Sequence, residues 1–583
     1  MSSPASVSSD SLLEALDQEQ RQAAEALLGP VCLLAGAGTG KTRAITHRIA
    51  YGVATGVYSP SRVMPLTFTS RAAGELRARL RALGAGGVAA RTFHAAALAQ
   101  LNFFWPQVIG GDVPKLLEGK ARIIAHAAES IRLKLDTPAL RDAAGEIEWR
   151  KVSRMTMEDY ARAAYTRPLP GSLSVEQMAD LQQAYEDLKD ERRQIDFEDV
   201  LLATAGMIEA EPRVATQVRE QYRFFVVDEY QDVSPLQQDL LDLWLGDRND
   251  LCVVGDASQT IYSFAGASSQ YLLGFGSRYP GARVIRLEQN YRSTSAIIDT
   301  ANRLMRGRPG ALRLTPAQAK SDASRPVPPT ISEYDTEAGE ARGVASSIGA
   351  LISGGARPES IAVLYRMNAQ AAALENALED AGISYRIHGA GRFFDQREVK
   401  QAVLMLKGAS ISIVGEPLFK TVSDVLRSLG WTQEPPEARG ATLERWESLN
   451  ALMTMAEATG PGTTLKDFVG ELIDRQQAQH EPTMSAVTLA SIHSAKGLEW
   501  DHVFVVGVSE GLVPIFYAKG FDAIDEERRL LYVAITRARR RLHLSWSRLA
   551  QHQQREPSRF LDELAREAGP GRRTPGAGAS RGS

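Results

Sequence analysis

A glycine-rich segment that directly follows an apolar run could bind phosphate groups. The run VCLL (31–34) precedes the letters AGAGTGKT (35–42), which is the order strand, loop, helix. Glycines let backbone N–H groups close around phosphate oxygens, and a helix N-terminus adds a favourable dipole. In this pattern the lysine reaches the β- and γ-phosphates and the hydroxyl after it can hold Mg²⁺. The candidate residues are Ala35, Gly36, Ala37, Gly38, Thr39, Gly40, Lys41 and Thr42. The alternative is a glycine-rich turn without a ligand, and Ala35 stands where the strict pattern has glycine.

Two adjacent carboxylates follow a second apolar run. Asp228 and Glu229 come directly after FFVV (224–227). Ligands of open α/β sheets bind beyond the carboxyl ends of the strands, so both side chains are well placed for a site. Asp228 would support Mg²⁺, and Glu229 would orient and deprotonate an attacking water, because phosphoryl transfer needs positioning and charge neutralisation. The alternative is a solvated acidic strand end.

Two arginines could stabilise the charge that develops on a transferred phosphoryl group. Arg292 lies in LEQNYRS (287–293), after the run VIRL. Arg537 lies in EERRLLYVAITRA (526–538), a segment with a helical pattern in which the apolar spacing places Arg537 at the border of the apolar face. A buried arginine is costly unless it meets an anion. The alternative for each is a structural salt bridge with Asp or Glu.

The elements that must position these residues follow from short apolar runs that alternate with helical patterns. Continuous apolar strands of this kind favour parallel sheets covered by helices on both faces. The runs form two groups and predict an α/β protein with two cores, each interrupted by a helical insert. The runs are VCLL (31–34), FFVV (224–227), LCVV (251–254), VIRL (284–287), IAVLY (361–365) and VFVVG (503–507).

The predicted organisation divides the 583 residues into five parts. We assign 1–98 and 197–293 to the first core, 99–196 to its insert, 294–392 and 486–568 to the second core, and 393–485 to a shorter insert. A linker rich in Pro, Arg and Ala (307–330) separates the cores. The composition of 569–583 predicts a disordered tail. Pro65, in VMPLTF, should remove a donor from an interior strand; a strand that starts at Leu66 or a local bulge would accommodate it.

Composition excludes several classes of protein. No apolar run is long enough to cross a membrane, and the N-terminus lacks the pattern of a secretory signal. The two cysteines, Cys32 and Cys252, exclude a disulfide framework and a four-cysteine zinc site, and they fit a reducing, cytoplasmic, nucleoid-associated location. The net charge is −3, so a nucleic-acid path would need a local basic and aromatic lining instead of a global field.

The ordered set of motifs resembles the superfamily 1 DNA helicases of the UvrD/Rep/PcrA family, from about residue 16 to about 565, and most strongly the second UvrD-type helicase of actinobacteria. The matching segments are LDQEQ (16–20), AGAGTGKT (35–42), TFTSRAAGELRARL (67–80), TFH (92–94), DFEDVL (196–201), DEYQD (228–232), GDASQTIYSFAGA (255–267), LEQNYRS (287–293), YRMNAQ (365–370), GAGRFF (389–394), TLASIHSAKGLEWDHVFVVG (488–507) and EERRLLYVAITRA (526–538). The resemblance implies two RecA-like P-loop cores, with ATP and Mg²⁺ bound between them.

The resemblance also implies roles for residues around ATP. Gln20 would read the adenine edge and Tyr291 would stack on adenine. Gln259 would sense the γ-phosphate and couple it to the DNA site, and Glu499 would bond the ribose. Arg292 and Arg537 match the two arginine fingers of the family, which favours the catalytic interpretation of both over a structural salt bridge.

The DNA contacts implied by the resemblance are aromatic and basic. Stacking tolerates any base and contributes roughly 1–3 kcal/mol per base. The matching positions are Phe68, His94, Tyr262 and Phe264, with Arg71, Arg366 and Asn368 at phosphates. Core packing is the alternative for each aromatic, and Tyr262 and Phe264 are the strongest because they follow Gln259. The family commonly has Trp-Arg where this chain has Phe264-Ala265, so one cationic contact is lost.

Three functions compete on this sequence. The leading one is a 3′-to-5′ DNA helicase and single-stranded DNA translocase in DNA repair, a monomer or weak dimer with repair proteins as partners. The second is a translocase that strips proteins from single strands and needs a partner to unwind, favoured by the short second insert and by the lack, in this sequence, of the extra C-terminal domain that many relatives carry. The third, an inactive ATP-gated scaffold, is disfavoured by the intact Lys41, Asp228, Glu229, Arg292 and Arg537.

Overall fold

The computed structural model describes residues 9–165, 167, 169–170, 173–317, 327–388, 394, 397–412, 416–433, 441–457, 459, 462–478, 485–550 and 553–565. The chain divides into two compact units, Met1–Gly36 with Gly40–Glu288, and Ala37–Thr39 with Gln289–Ser583. The predicted tail, part of the predicted linker, and GAGRFF except Phe394 lie outside the described residues.

The first unit is built on a parallel sheet. Its strands are β1 Val31–Ala35, β2 Val63–Thr67, β3 Arg91–Thr92, β4 Lys115–Leu116, β5 Gln194–Ile195, β6 Phe224–Val227, β7 Leu251–Gly255 and β8 Arg283–Leu287. Six of them pair in the order β3-β2-β6-β7-β1-β8, all parallel, and β4 pairs with β5 apart from that sheet. The apolar runs therefore predicted β1, β6, β7 and β8 correctly.

The helices of the first unit cover both faces of this sheet and also form the insert described below. They are α1 Ser9–Glu14, α2 Gln18–Glu25, α3 Lys41–Ala54, α4 Ser70–Ala82, α5 Phe93–Val108, α6 Ala121–Ser130, α7 Thr137–Val152, α8 Met157–Ala164, α9 Val175–Glu191, α10 Phe197–Ala210, α11 Pro212–Gln221, α12 Pro235–Leu245, α13 Gln270–Leu273 and α14 Phe275–Arg278. Along β1, Val31 and Leu33 belong to one apolar cluster while Cys32 belongs to another. Alternate side chains of a strand point to opposite faces, so the sheet is buried on both sides.

Pro65 lies inside β2, and both predicted explanations for it are wrong. The strand starts at Val63 and pairs with β6 continuously from Val63 to Leu66. The carbonyls of Arg62 and Leu66 accept hydrogen bonds from the N–H groups of Arg223 and Asp228 on the β6 side. Because successive residues of a strand direct their backbone polar groups to opposite neighbours, the backbone nitrogen of Pro65 faces the neighbour on the other side of β2. That neighbour, β3, begins only opposite Leu66. The nitrogen of Pro65 thus points to a stretch where no strand pairs, and no ladder donor is lost.

The first insert has a core of its own. Helices α6 to α9 bury a cluster that includes Ile124, Ile147, Tyr160 and Tyr185. The predicted start of the insert, residue 99, falls within α5, whose buried residues Phe93, Ala97 and Leu101 pack with the sheet cluster. The predicted end, residue 196, coincides with the N-cap of α10.

The second unit repeats the plan of a parallel sheet. Its strands are β9 Gln289–Asn290, β10 Thr315–Pro316, β11 Thr330–Thr336, β12 Ile361–Tyr365, β13 Tyr385–His388, β14 Val487–Ser491, β15 Trp500–Val505, β16 Ala538–Ala550 and β17 Gln553–Gln554. The parallel order is β11-β16-β15-β12-β14-β13; β17 pairs antiparallel with β16, and β9 pairs with β10. The runs IAVLY and VFVVG predicted β12 and β15.

The helices of the second unit include a separate helical group. They are α15 Ser295–Leu304, α16 Glu337–Ser353, α17 Ala371–Asp380, α18 Arg397–Ser412, α19 Leu418–Ser428, α20 Ala441–Glu457, α21 Leu465–Ala478, α22 Gly520–Ile535 and α23 Arg559–Ala565. The helices α18 to α21 share one apolar cluster, distinct from the cluster on the sheet. Among the described residues, no helix is both long enough and apolar enough to span a membrane.

The helical prediction for 526–538 is wrong at its end. Helix α22 stops at Ile535, Thr536 caps it, and Arg537 lies in the turn before β16. Arg537 is therefore not on a helix face, although its side chain is buried. The turn arises because the chain must leave the helix within two residues to enter β16 beside β15.

Candidate functional site

The glycine-rich loop adopts a backbone that glycine favours. Gly38 and Gly40 have φ of 71° and 81°, and Gly40 caps the N-terminus of α3, whose first residue is Lys41. A Cβ on Gly40 would lie 2.7 Å from Nε2 of Gln20. The predicted adenine-reading glutamine is thus buried against the loop, and the loop ends at the N-terminus of α3, a position that favours anions. Gly36 donates to the carbonyl of Leu287 at 3.1 Å.

The predicted catalytic carboxylates lie beside Lys41. Nζ of Lys41 is 3.5 Å from Oε2 of Glu229. Glu229 has φ of 51°, a left-handed conformation that is unfavourable for a residue with a side chain and is found at functional sites. Its N–H donates to Oδ1 of Asp228 at 2.9 Å. Strand β6 places both residues at its carboxyl end.

The carboxyl group of Asp228 is suited to a cation. Burial, and then the neighbouring carboxylate of Glu229, raise the pKa of Asp228 to about 7, although Lys41 opposes the shift. A divalent cation would restore the charged form in this environment. Among the described residues no group of three or more His, Cys, Asp or Glu side chains could hold a metal ion. Mg²⁺ commonly uses one or two carboxylates together with nucleotide phosphates, which these residues fit.

A buried hydrogen-bonded path connects Glu229 to Gln259. Nε2 of Gln231 donates to Glu229 at 2.7 Å, and Oε1 of Gln231 accepts from the N–H of Asp256 at 3.0 Å. Asp256 in turn accepts from Nε2 of Gln259 at 2.8 Å. The four residues come from the ends of two adjacent strands, β6 and β7.

The second unit holds part of the glycine-rich loop. Nδ2 of Asn290 donates to the carbonyl of Ala37 at 2.7 Å, and the N–H of Tyr291 donates to the carbonyl of Gly38 at 2.9 Å. A Cβ on Gly38 would lie 2.6 Å from Nδ2 of Asn290. Tyr291 is 39% exposed. Thr39 is buried.

Two predicted site residues of this unit pair with each other. Arg292 donates to Glu499 and, at 3.2 Å, to the carbonyl of Thr536. Arg539 also donates to Glu499. Burial alone would raise the pKa of Glu499, but the guanidinium groups of Arg292 and Arg539 outweigh it and hold that pKa below its usual value. Glu499 is therefore an ionised acceptor held by two cations.

Arg537 is nearly completely buried in this unit. Its guanidinium donates to the carbonyls of Val533 and Leu498 at 3.0 and 3.1 Å, and to Oγ1 of Thr536 at 3.2 Å. These three oxygens fix the orientation of the guanidinium group.

The predicted DNA contacts near β2 and β3 differ in accessibility. Phe68 is partly buried and packs on the sheet cluster, whereas Arg71 is half exposed and pairs with Glu75 at 3.2 Å. Burial, with a smaller effect from Lys120, lowers the pKa of His94 to about 4. The neutral ring of His94 lies 5.9 Å, edge to face, from the ring of Phe197, which is 49% exposed.

The predicted contacts after Gln259 form a pair. The rings of Tyr262 and Phe264 are 6.1 Å apart, and Phe264 is 61% exposed. Tyr262 is half-buried. The more exposed ring, that of Phe264, is the better placed of the two to contact a base.

The predicted contacts in the second unit are Arg366 and Asn368. Arg366 forms a salt bridge with Glu527 at 2.8 Å, so its charge is partly used within the protein. Asn368 is exposed on a short turn. Tyr517, 60% exposed, places its hydroxyl 3.5 Å from Arg366.

Sequence reasoning gave no role to several residues that organise these sites. Asn290 and Gln231 stand within quoted motifs, and each is a buried amide next to a predicted catalytic residue. In the sequence each of them lies two residues from a predicted catalytic residue, and this position could have identified them. Phe197 and Tyr517 carried no signal, because their exposure beside His94 and Arg366 depends on the fold.

Comparisons with known proteins agree with these features. The chain matches the UvrD/REP helicase N-terminal domain over residues 16–280 and the UvrD-like helicase C-terminal domain over residues 285–410 and 417–549. It is 46% identical over 605 aligned residues to the ATP-dependent DNA helicase UvrD2 of Mycobacterium tuberculosis, covering 98% of this chain and 86% of the relative. The ATP-dependent DNA helicase PcrA of Leuconostoc citreum is 30% identical (96% and 86% covered), and DNA helicase II of Escherichia coli is 29% identical (95% and 88% covered).

Proposed function

The chain belongs to the UvrD/REP helicase family and is an ATP-dependent DNA helicase, and from that premise we propose that it moves 3′ to 5′ on single-stranded DNA and unwinds 3′-tailed duplexes during DNA repair. The observation that carries the ATPase part is the position of Lys41 beside Glu229, with Asp228 buried next to them. The direction of movement and the repair role are supported by the family resemblance.

The residues around the phosphates have separate roles in this proposal. Thr42 and Asp228 would hold Mg²⁺, which neutralises phosphate charge when bound. Lys41 binds the β- and γ-phosphates, and Glu229 orients the attacking water and accepts its proton. The pairing with Lys41 and Gln231 keeps the Glu229 carboxylate in one orientation.

Two arginines and the residues around the nucleoside complete the nucleotide site in the proposal. Arg292 and Arg537 stabilise charge on the γ-phosphate, and Gln259 senses that phosphate. Tyr291 stacks on adenine, Gln20 reads its edge, and Glu499 bonds the ribose. Since Glu499 now pairs with Arg292, binding of nucleotide would exchange that partner for a ribose hydroxyl and free Arg292 for phosphate.

DNA is bound in the proposal by stacking and by a few phosphate contacts. Bases stack mainly on Phe264 and Tyr262. Phe197 and His94 form a second stacking site, because the ring of Phe197 is exposed beside the ring of His94. Phe68 contributes an edge, while Arg71, Arg366 and Asn368 contact phosphates. Such contacts are independent of base sequence, which a translocating motor requires.

Strand displacement on tailed duplexes tests the direction and the unwinding. We expect ATP-dependent displacement from 3′-tailed and not from 5′-tailed substrates, with Lys41→Ala as the inactive control. Displacement from 5′ tails alone would contradict the polarity. DNA-stimulated ATPase without displacement would instead support the translocase that needs a partner.

Substitution of the proposed base tests the chemistry. Glu229→Gln keeps the size of the side chain but removes the proton acceptor, so ATP should still bind while hydrolysis falls by about 100-fold or more. Nucleotide binding and steady-state turnover measure the two effects. Turnover at the wild-type rate would show that another residue is the base.

A further inference from the structure

Gln231 is a buried glutamine that holds the predicted catalytic carboxylate. Its side chain is fully buried, and its Nε2 donates to Oε2 of Glu229 at 2.7 Å and to Oδ2 of Asp232 at 3.3 Å. Lys41 approaches the same oxygen of Glu229 at 3.5 Å. A carboxylate can only accept hydrogen bonds, so these partners fix which end of the amide is the donor. Gln231 therefore helps to determine where the Glu229 carboxylate points.

The other end of Gln231 is held by the turn after β7. Its Oε1 accepts the N–H of Asp256 at 3.0 Å. A Cβ on Gly255 would lie 2.6 Å from that oxygen and 2.9 Å from Cδ2 of Leu272. The turn is thus packed against the amide, and a shift of the turn by a few tenths of an ångström must move the amide as well.

The same turn leads directly into the predicted DNA-binding loop. The carboxylate of Asp256 accepts from the N–H of Ser258 at 3.0 Å and from Nε2 of Gln259 at 2.8 Å. Tyr262 and Phe264 follow within a few residues. Burial first, and then the charges of Asp232 and Glu229, raise the pKa of Tyr262 to about 12.

We propose that Gln231 is a positioning residue through which DNA stacked at Tyr262 and Phe264 controls the orientation of the Glu229 carboxylate, and thereby stimulates ATP hydrolysis. The inference rests on the proposed function of these residues. A base that moves the loop displaces the N–H of Asp256, the amide of Gln231 follows it, and its donor end turns Glu229 toward the attacking water. An amide suits this task because it carries a donor and an acceptor on one rigid group.

The experiment measures ATPase with and without oligothymidylate in the full chain. Gln231→Ala should lower the DNA-stimulated kcat by about tenfold or more, because a hydrogen bond to a charged group can account for that factor in a rate. The ratio of stimulated to basal rate should fall, while the KM for ATP and the affinity for oligothymidylate stay within twofold of wild type. Gln238→Ala is the matched control: Gln238 is equally buried but bonds Tyr230 and Asp242, so its stimulation ratio should be unchanged.

A second variant separates positioning from packing. Gln231→Glu keeps the size of the side chain and the acceptor for Asp256 but loses the donor to Glu229. Its stimulation ratio should therefore fall as far as that of Gln231→Ala, with a thermal midpoint near that of wild type. If the alanine variant fails to fold, the result for Gln231→Glu tests the inference. A stimulation ratio within twofold of wild type in Gln231→Glu would overturn the inference. Wild-type protein without any DNA stimulation would instead contradict the proposed function itself.

Discussion

Gly38 and Glu229 both have backbone conformations in the left-handed region, and only one of them is a glycine. For Glu229 the surrounding contacts must compensate the cost, which is typical of residues held for catalysis. For Gly38 the conformation is free of that cost, but the space is not free: a Cβ would meet Asn290 at 2.6 Å and Cβ of Arg292 at 2.8 Å. Glycine at position 38 therefore allows both the positive φ and the close approach of Asn290 and Arg292.

Gly38→Ala should therefore abolish ATP binding at ordinary ATP concentrations, because the added carbon displaces Asn290 and Arg292 as well as straining the loop. Gly29→Ala is the control, since Gly29 has φ of 75° and nothing within 4 Å of the added carbon. Both variants should lose about 1–2 kcal/mol of stability from strain. Nucleotide-binding titration should distinguish them; equal ATP affinity in the two variants would contradict the role of the close approach.

The proximity of Lys41, Asp228 and Glu229 was predictable from their motifs, whereas the partners of other proposed site residues were not. Lys41, Asp228 and Glu229 were assigned from the order of strand, glycine and carboxylate, and the fold places them together. Glu499 and Arg292 were assigned to different groups of the nucleotide, yet they pair with each other here. That pairing depends on how the start of the second unit lies against the turn before β15, a non-local contact that spacing along the chain does not encode.

At the scale of elements, β2 shows how a strand tolerates proline. Met64→Pro should cost more than about 3 kcal/mol, because Met64 faces β6 and its N–H belongs to that ladder. Pro65→Val should cost only about 0.4–1 kcal/mol, mainly through greater freedom of the unfolded chain, and should leave ATPase unchanged. Thermal unfolding of both variants checks this; similar losses would mean that Pro65 does not face the unpaired side.

A buried charge cluster joins the first insert to α10. Asp196, the N-cap of α10, accepts from Lys151 at 2.7 Å, from Lys189 at 3.3 Å and from Tyr185 at 2.9 Å. Burial opposes ionisation of Asp196, but the ammonium groups of Lys151 and Lys189 outweigh it and hold its pKa well below the usual 3.8. The stability from this charge is therefore complete above about pH 4 to 5, and it is lost as pH falls through the lower folded-state pKa.

Asp196→Asn should lower the stability of the first unit by about 1.5–3 kcal/mol, because it removes one charged acceptor from Lys151 and Lys189 while their salt bridges to Asp199 and Glu186 remain. Asp239→Asn is the control, since Asp239 pairs with Arg154 at the surface, and it should cost at most about 1 kcal/mol. Calorimetric unfolding should show a constant deficit for Asp196→Asn between pH 5 and 8 that shrinks below about pH 4. A deficit that grows as the solution becomes acidic would contradict the cluster.

At the scale of the molecule, the net charge of −3 predicts weak salt dependence of DNA binding. Counterion release gives a slope of about −0.7 per phosphate contact in a plot of log affinity against log salt, so the two proposed cations, Arg71 and Arg366, predict a slope near −1.4. Anisotropy titrations of labelled oligothymidylate in KCl measure it. Arg71→Ala should reduce the slope by about 0.7, while Arg213→Ala, on the exposed start of α11, should not change it.

The two-sheet plan was predictable because central parallel strands are apolar along their whole length, as in β1, β6, β7 and β12. Strands with mixed composition were not predicted: β11 reads TISEYDT and β16 reads ARRRLHLSWSRLA. These segments form strands because they pair with neighbouring strands, and that pairing is not visible in their composition. The predicted start of the insert, residue 99, lies within helix α5, because spacing along the chain does not show that buried residues of α5 on both sides of it pack with the sheet cluster.

The missing side chain at Gly255 has an evolutionary consequence. The carboxamide of Gln231 occupies the volume that any larger residue at 255 would need, so position 255 can gain a larger side chain only if the side chain at position 231 becomes smaller. In related chains, a bulkier residue at the position equivalent to 255 should therefore occur together with a shorter residue at the position equivalent to 231. Related chains that carry both replacements would be natural candidates for helicases whose rate of ATP hydrolysis no longer depends on bound DNA.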